Sequence, residues 1–295
     1  MTSNDQNLMN KLLPAMQNVQ NALNDASLGG KIKVSTVHTM GVLKQSEPPS
    51  SGSFDPSYGD LMKALLEFSR ANGSPFAINP YPYFAYRCDT RPETLAFCLF
   101  QPNAGRMYGN TKIKYMNMFD AQVDAVYSAL NSMGFKNVEI VVAETGWPFK
   151  GDDNDVGPSI ENAKAYNGNL IAHLRSMVGT SCRKSVDTYL FALYDEDLKP
   201  GPGSERSFGL FKTDLTMVYD FGFSTSSQIQ SPVAAPQGAT TSNSSCSCSC
   251  SCNCTNTISI ISSNKINLVR IFNLDLLYEF MGLFFIYLFF YDLQT

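Results

Sequence analysis

The chain has 295 residues, of which 44% are hydrophobic and 16% are charged, and its formal net charge is −4. This composition supports a sizeable folded core and excludes global disorder, while the negative charge argues against binding to a nucleic-acid backbone. Aromatic residues make up 12% of the chain. Such a content favours a neutral, ring-shaped ligand over a charged one.

Hydrophobic periodicity predicts strands that alternate with helices along most of the chain. In chain order, the predicted elements are a helix over 3–23, a strand over 31–37, a helix over 58–70, a strand over 75–80, a helix over 118–133, a strand over 140–142, a helix over 159–177 and a strand over 186–194. The short strand over 75–80 leads into Tyr81-Pro-Tyr-Phe84, which follows it. This alternation predicts an α/β fold, in which a parallel sheet is connected by helical crossovers.

The alternation is interrupted by an insertion and stops before the C-terminal part of the chain. Residues 87–114 form the insertion, with hairpin-like signals at Cys98-Leu-Phe100 and Asn103-Ala-Gly105. Residues 222–257 are rich in Ser and Cys and are interpreted as a linker. Residues 258–295 form an apolar tail. This tail is either a genuine segment or a stretch that was never selected as part of a domain.

Neither end of the chain carries a clear membrane or export signal. The apolar run over 276–291 has roughly 16 residues, whereas a bilayer-spanning helix needs about 20. A lipid-anchor signal fits the tail better, with Ser262-Ser-Asn264 as its small-residue site. Met1–Asn10 is polar and lacks the apolar run of a signal peptide, so nothing in the chain as written is expected to start its secretion.

Cysteine usage indicates neither a metal site nor a disulfide framework. Five of the eight cysteines alternate with other residues over 246–254, which is not the spacing of a zinc knuckle. The other three, Cys88, Cys98 and Cys182, are scattered and odd in number. Since no metal-binding motif and no glycine-rich phosphate loop occurs, we expect no metal and no other cofactor.

The most informative motif follows the β-branched run Ile140–Val142, which is typical of a buried parallel strand. Glu144 stands at the carboxyl end of that strand, and Gly146-Trp-Pro148 then turns the chain. Ligands of α/β enzymes bind at the carboxyl ends of the strands, so Glu144 is a candidate catalytic carboxylate. Trp147 supplies a flat face that suits a sugar ring. The alternative is that Glu144 only pairs with a Lys or Arg.

The motif Glu144-Thr-Gly-Trp-Pro148 resembles the signature of the plant endo-β-1,3-glucanases, glycoside hydrolase family 17. Three further stretches are similar to the same family in the same order, namely Asn79-Pro-Tyr-Pro-Tyr-Phe84, Asn167-Gly-Asn169 and residues 196–211. The resemblance spans residues 1–221. It implies the family's (β/α)8 TIM barrel with a small subdomain around the sixth helix, here only about the C-terminal half, strands five to eight.

The resemblance also implies endo-hydrolysis of (1→3)-β-D-glucan by a retaining double displacement, which uses two carboxyl groups. Glu144 takes the position of the nucleophile. The family's acid/base is a Glu in an Asn-Glu pair at the end of strand four, and this pair is absent from the chain. Residues 1–5 resemble the segment that directly follows the pair. The chain is thus expected to carry the nucleophile without its partner acid.

The residues expected to bind substrate are polar or aromatic side chains that follow the predicted strands. They are Asn79, Tyr81, Tyr83, Phe84, Trp147, Glu196, Lys199 and Glu205, of which the last three are implied by the resemblance. A Lys between two Glu residues is expected to keep those carboxylates ionised, which makes them poor proton donors. His38 is expected either to line the floor of the cleft or to be an ordinary core residue.

Three interpretations of the whole chain remain open at this level. The first is a β-1,3-glucan hydrolase of the secreted, cell-wall or lipid-anchored kind that the family implies, acting as a monomer. The second is a catalytically inactive protein that keeps the cleft and binds β-glucan. The third is a partial product that does not fold, because half a barrel exposes two sheet edges and an uncovered core.

Overall fold

The computed structural model describes residues 6–108, 113–176, 186–222, 269–272 and 286–290. Its helices are α1 (Gln6–Asp25), α2 (Gly59–Asn72), α3 (Pro82–Cys88), α4 (Pro92–Cys98), α5 (Met118–Ser132) and α6 (Ile160–Ser176). Its strands are β1 (Ile32–Thr39), β2 (Leu43–Gln45), β3 (Ser53–Phe54), β4 (Phe76–Asn79), β5 (Arg106–Met107), β6 (Lys114–Tyr115), β7 (Ile140–Thr145), β8 (Asp187–Phe191), β9 (Val269–Phe272) and β10 (Ile286–Phe290).

The main sheet has the strand order β10-β1-β4-β7-β8-β9. Strands β1, β4, β7, β8 and β9 run parallel, and β10 pairs with β1 in the antiparallel direction. Helix α2 lies between β1 and β4 along the chain, α5 between β4 and β7, and α6 between β7 and β8. The predicted parallel sheet with helical crossovers is therefore confirmed.

The crossover helices bury one apolar face each, as their periodicity predicts. Helix α5 begins after Asn117, whose side chain accepts a hydrogen bond from the amide of Asp120 at 2.7 Å. Its buried face carries Phe119, Val123, Val126 and Leu130. Helix α1 packs in the same way, since Met16 joins a buried cluster with Val34 of β1 and Leu65 and Phe68 of α2.

The short strand predicted over 75–80 occurs as β4, and the Tyr81-Pro-Tyr-Phe84 segment follows it as predicted. Strand β4 ends at Asn79, and helix α3 begins at Pro82. A proline at the first helical position has no amide hydrogen to lose and already has a helical φ angle, so it favours this start. The helix carries Tyr83 into the core and leaves Phe84 39% exposed.

The insertion forms a small subdomain of α3, α4 and the hairpin β5–β6. Its apolar cluster contains Phe97, Tyr115 and Ala121. The hairpin-like signal assigned to Cys98-Leu-Phe100 is wrong, because Cys98 is the last residue of α4. Burial raises the pKa of the Cys98 thiol to about 12. That thiol therefore stays protonated and acts as a small apolar residue.

Parts of the predicted linker and tail lie outside the described residues, including 223–257, the alternating cysteines and the proposed anchor site at 262–264. The same holds for Cys182 and residues 1–5. Two segments of the tail are described, and both are strands: β9 extends the sheet beyond β8, and β10 extends it beyond β1. Within the described ranges, no helix is long and apolar enough to cross a bilayer.

Candidate active site

The four central strands end at one edge of the sheet, and each contributes its last or penultimate residue to a common cleft. The cleft has a volume of about 510 Å³. Its lining residues are Thr39, Met40, Gly41, Asn79, Tyr81, Phe84, Ala85, Gln122, Glu144, Phe191, Lys199, Glu205 and Phe208. Because parallel strands present their carboxyl ends together, this is where an α/β fold places a ligand.

Glu144 lies on an irregular part of β7. Val142 pairs with Thr188 of β8, but Thr145 pairs with Leu190, so β7 advances three residues while β8 advances two. Such a bulge bends a strand and changes the direction of the side chain that it carries. Here the bulge includes Glu144, and the carboxylate lines the cleft while Val142 stays buried in the sheet.

Thr145 and Gly146 follow Glu144, and the contacts of each explain why that residue type stands there. The buried hydroxyl of Thr145 donates to the carbonyl of Pro80 and accepts from the hydroxyl of Tyr166, both at 2.6 Å. A Cβ atom on Gly146 would lie 2.0 Å from the carbonyl oxygen of Phe191. Only glycine allows β7 and β8 to approach so closely at their carboxyl ends. These contacts hold the end of β7 in place.

Tyr81 is a hydrogen-bond partner of Glu144. Its hydroxyl donates to Oε2 of Glu144 at 3.1 Å. Burial, the negative charge of Glu144 and this hydrogen bond together raise the pKa of Tyr81 well above its usual value. Tyr81 therefore stays protonated and stabilises the charged form of the Glu144 carboxylate.

Glu196, Lys199 and Glu205 form a second charged group, here called the ion cluster. Lys199 Nζ lies 3.0 Å from Glu196 Oε2 and 3.5 Å from Glu205 Oε2. The same ammonium lies 4.7 Å from the centre of the Phe191 ring, in a cation–π contact. Burial lowers the pKa of Lys199, but its hydrogen bonds and charge interactions with the two carboxylates outweigh burial and raise it. The cluster is thus one lysine that bridges two ionised carboxylates.

Trp147 and Tyr83 do not take the positions that the sequence predicts. Both are fully buried and neither lines the cleft. The Trp147 indole donates to the carbonyl of Gly157 at 2.9 Å, and its ring packs 5.3 Å from Tyr83 and 5.6 Å from Tyr166. The turn after Gly146 directs the indole inward and helix α3 carries Tyr83 into the core, so neither ring forms the wall of the cleft, and their contact with substrate stays a prediction. They support the cleft from beneath.

The other predicted substrate-binding residues lie where the sequence places them. Asn79, Tyr81, Phe84, Lys199 and Glu205 line the cleft together with Glu144. Glu196 is brought to the cleft through its ion pair with Lys199 and is not itself a lining residue. Their contact with a sugar stays a prediction.

His38 is a core residue. It lies on β1, is 1% exposed, and its ring stacks on Phe76 at 4.5 Å between ring centres. Burial lowers its pKa well below the usual value, so the ring is neutral near pH 7. The second of the two predicted alternatives therefore holds for this histidine, and its neighbour Thr39 lines the cleft instead.

Sequence reasoning missed several lining residues. Phe191 is the last residue of β8, but the predicted strand runs on to Tyr194, so the strand end that lines the cleft was placed three residues too late. The ring centre of Phe208 lies 5.9 Å from that of Tyr81 and 5.6 Å from that of Phe191; Phe208 belongs to the family-like stretch 196–211 but was not singled out there. Gln122 reaches the cleft from helix α5, where no local pattern distinguishes it from other polar positions. Among the residues described, no group of three or more His, Cys, Asp or Glu side chains could hold a metal ion.

Comparison with known proteins agrees with this geometry. Residues 2–223 match the family described as Glycosyl hydrolases family 17. The chain is 69% identical over 243 residues to "Glucan endo-1,3-beta-glucosidase 7" of Arabidopsis thaliana, covering 82% of this chain and 48% of that relative. It is 65% identical over 238 residues to "Glucan endo-1,3-beta-D-glucosidase" of Olea europaea, and this match covers 80% of this chain and 52% of that relative. The chain spans about half the length of the curated relatives that it matches.

Solved structures show the same relationship. A β-1,3-glucanase and allergen of Cryptomeria japonica pollen superposes with a TM-score of 0.66 at 45% identity, covering 72% of this chain and 66% of that one. A plant β-glucan endohydrolase superposes with a TM-score of 0.65 at 34% identity, and the superposition covers 73% of this chain and 68% of that one. The parallel sheet thus has the fold of the plant glucanases. On these grounds the chain belongs to glycosyl hydrolase family 17.

Proposed function

We propose that this protein acts in the endo-hydrolysis of (1→3)-β-D-glucan by a retaining mechanism, with Glu144 as the nucleophile. The observation that carries the proposal is the position of Glu144, at the end of a central parallel strand in the cleft, with Tyr81 donating to its carboxylate. The names of the relatives in Arabidopsis and olive support the same substrate and reaction.

In the proposed reaction, Glu144 attacks the anomeric carbon, and the bond from that carbon to the glycosidic oxygen breaks as the oxygen receives a proton from an acid. Water then attacks the anomeric carbon, gives a proton to the conjugate base of that acid, and displaces the Glu144 carboxylate from the sugar. Tyr81 keeps the attacking carboxylate charged and oriented. Phe84 and Phe208 offer apolar faces to the rings of the glucan, and Asn79, Lys199 and Glu205 offer polar groups to its hydroxyls.

The acid is the missing part of this proposal. Besides Glu144, the described residues that line the cleft include one carboxylate, Glu205, and it pairs with Lys199. An ion-paired carboxylate is a poor proton donor. The chain contains no Asn-Glu pair. We therefore assign β1, β4, β7 and β8 to strands five to eight of the family's barrel, and we place the acid outside the described cleft.

An activated inhibitor separates the role of Glu144 from that of the acid. A 2-deoxy-2-fluoro-β-laminaribiosyl fluoride needs no protonation, because fluoride leaves unaided as the bond from Glu144 to the anomeric carbon forms. We expect mass spectrometry to find the label on the peptide that contains Glu144. The variant Glu144→Gln should stay unlabelled, and Glu161→Gln on helix α6 should be labelled like the unmodified chain. Labelling elsewhere, or none in a folded protein, would contradict the proposal.

A second candidate function is β-glucan binding without turnover. The ion pair between Glu205 and Lys199 favours this candidate, because the described cleft then offers aromatic and polar contacts but no carboxylic acid to donate a proton. Calorimetric titration with laminaripentaose, combined with a reducing-end assay on laminarin, tests it. Binding with no turnover supports this candidate, whereas turnover that is abolished by Glu144→Gln supports the hydrolase.

The proposed substrate is a wall polymer, and a protein that acts on it must reach the cell exterior. Secretion, attachment through a lipid anchor near residues 262–264 and a monomeric state all stay predictions. The preference for β-1,3 over mixed-linkage glucan is open in the same way. It can be measured by titrating the same protein with a mixed-linkage pentasaccharide.

A further inference from the structure

We propose that Asp152 and Asp155, on the loop after β7, are positioning residues that hold the turn carrying Glu205 in place. This inference rests on the proposed function, because it assigns Glu205 and Lys199 to glucan binding. It concerns how the ion cluster is fixed relative to the nucleophile, since the two groups lie after different strands.

Both carboxylates accept hydrogen bonds from the backbone of the turn. Asp152 Oδ2 accepts from the amide of Gly203 at 2.7 Å, and Asp155 Oδ2 accepts from the amide of Ser204 at 3.2 Å. The amide of Asp152 also donates to Asp155 Oδ2, at 2.9 Å. The two aspartates thus contact consecutive amides and support each other. Hydrogen bonds of amides to carboxylates are about twice as strong as those between neutral groups.

The turn that they hold is the one that builds the ion cluster. Gly203–Arg206 is a short 3₁₀ helix, and Glu205 lies within it. Arg206 donates to the carbonyls of Lys199, at 3.0 Å, and Gly201, at 2.9 Å. A movement of this turn would therefore shift Glu205 directly and Lys199 through Arg206.

The fit between the two loops is close. A Cβ atom on Gly203 would lie 2.5 Å from Asp152 Oδ1, so the carboxylate fills the space that a side chain would need. The amide of Phe149 donates to the carbonyl of Ser207 at 2.9 Å, which joins the same two loops on the other side of the turn.

The protonation state of Asp155 agrees with this role. Burial alone would raise its pKa, but the hydrogen bonds from Asp152 and Ser204 outweigh burial and lower it. The carboxylate therefore stays charged at neutral pH and remains a strong acceptor for both amides.

Two alanine variants and a matched control test the positioning role. Asp152→Ala and Asp155→Ala remove the acceptors, whereas Asp153→Ala removes an exposed aspartate between them with the same change in charge. In calorimetric titrations with laminaripentaose, we expect about tenfold weaker binding for the first two and less than about twofold for the control. Equal losses in all three variants would overturn the proposal. Unchanged binding in Asp152→Ala and Asp155→Ala would overturn it as well.

A double-mutant cycle distinguishes positioning from general stability. If Asp152 acts through Glu205, then adding Asp152→Ala to Glu205→Gln should weaken binding by less than about twofold further. Fully additive losses would contradict this. Should Asp152→Ala fail to fold, Asp152→Asn keeps an oxygen acceptor for Gly203 without the charge. Its affinity for laminaripentaose should then be lower than that of the unmodified protein, by less than the tenfold loss expected for Asp152→Ala.

Hydrogen exchange tests the contact without any ligand. The amides of Gly203 and Ser204 should exchange at least about tenfold faster in the Asp152→Ala and Asp155→Ala variants than in Asp153→Ala. If the unmodified protein does not bind laminaripentaose, the proposed function fails, and the exchange rates still decide whether the two aspartates hold the turn. Unchanged exchange would refute the contact itself.

Discussion

The two charged regions of the cleft are built in different ways. Glu144 lies on a strand whose end is fixed by buried hydrogen bonds and by the close approach of Gly146 to Phe191. The ion cluster lies in loops after β8 and is fixed by charge, between Lys199 and its two carboxylates. The first region should therefore respond to changes in packing, and the second to changes in charge and pH.

The largest effect is expected for Trp147→Ala, which tests whether the indole is part of the core. Truncating a buried aromatic residue costs about 3–5 kcal/mol of unfolding free energy. Chemical denaturation measures this loss, and Phe84→Ala is the matched control because its ring is partly exposed and lines the cleft. We expect Phe84→Ala to weaken laminaripentaose binding with little loss of stability. The reverse pattern would restore Trp147 to the cleft surface.

Gly146→Ala tests the close approach of β7 and β8. The new Cβ atom would meet the backbone carbonyl of Phe191, which cannot rotate away, so we expect a loss of about 1–3 kcal/mol in unfolding free energy. Gly30→Ala is the control, because open space surrounds that position, and it should change stability by less than about 0.5 kcal/mol. Similar stabilities for the two variants would argue against the described geometry.

Tyr81→Phe tests the hydrogen bond to Glu144 without changing the packing of the ring. Loss of a hydrogen bond to a charged group costs about 1.5–3 kcal/mol, so labelling by the fluorinated inhibitor should slow by roughly 10- to 100-fold. Global stability should change little. A labelling rate equal to that of the unmodified protein would show that Tyr81 does not assist the carboxylate.

The smallest effect concerns the pH dependence of the ion cluster. Because the pKa of Lys199 is raised in the folded state, its contribution to stability is complete below about pH 10, the range of an unfolded lysine, and is lost as the pH rises further. The difference in unfolding free energy between the unmodified protein and Lys199→Met should therefore shrink as the pH rises above about 10. We expect it to be about 1 kcal/mol at neutral pH. A difference that is independent of pH would argue against the ion pairs.

Local patterns predicted the elements well, because each strand and helix has a clear apolar period. The helix that begins at Met118 occurs with nearly the predicted bounds, and the strand predicted over 140–142 occurs as β7, which extends to Thr145. Helix α3 was not among the predicted elements, because its aromatic residues favour strands, whereas Pro82 at the first helical position decides for a helix. Cys98 was misassigned for a different reason, because it lies in a short segment whose pattern does not distinguish a helix end from a hairpin.

For the candidate site, the sequence by itself determined the carboxylate Glu144 at a strand end, the group around Lys199 and the family to which they belong. A motif fixes the order of residues along the chain, and the carboxyl ends of parallel strands must meet at one edge. Only the tertiary structure decided that Trp147 packs inward, that Tyr81 donates to Glu144 and that Asp152 and Asp155 hold the turn of Glu205. Such contacts depend on the direction of side chains and on loops that meet in space, and neither is encoded in local spacing.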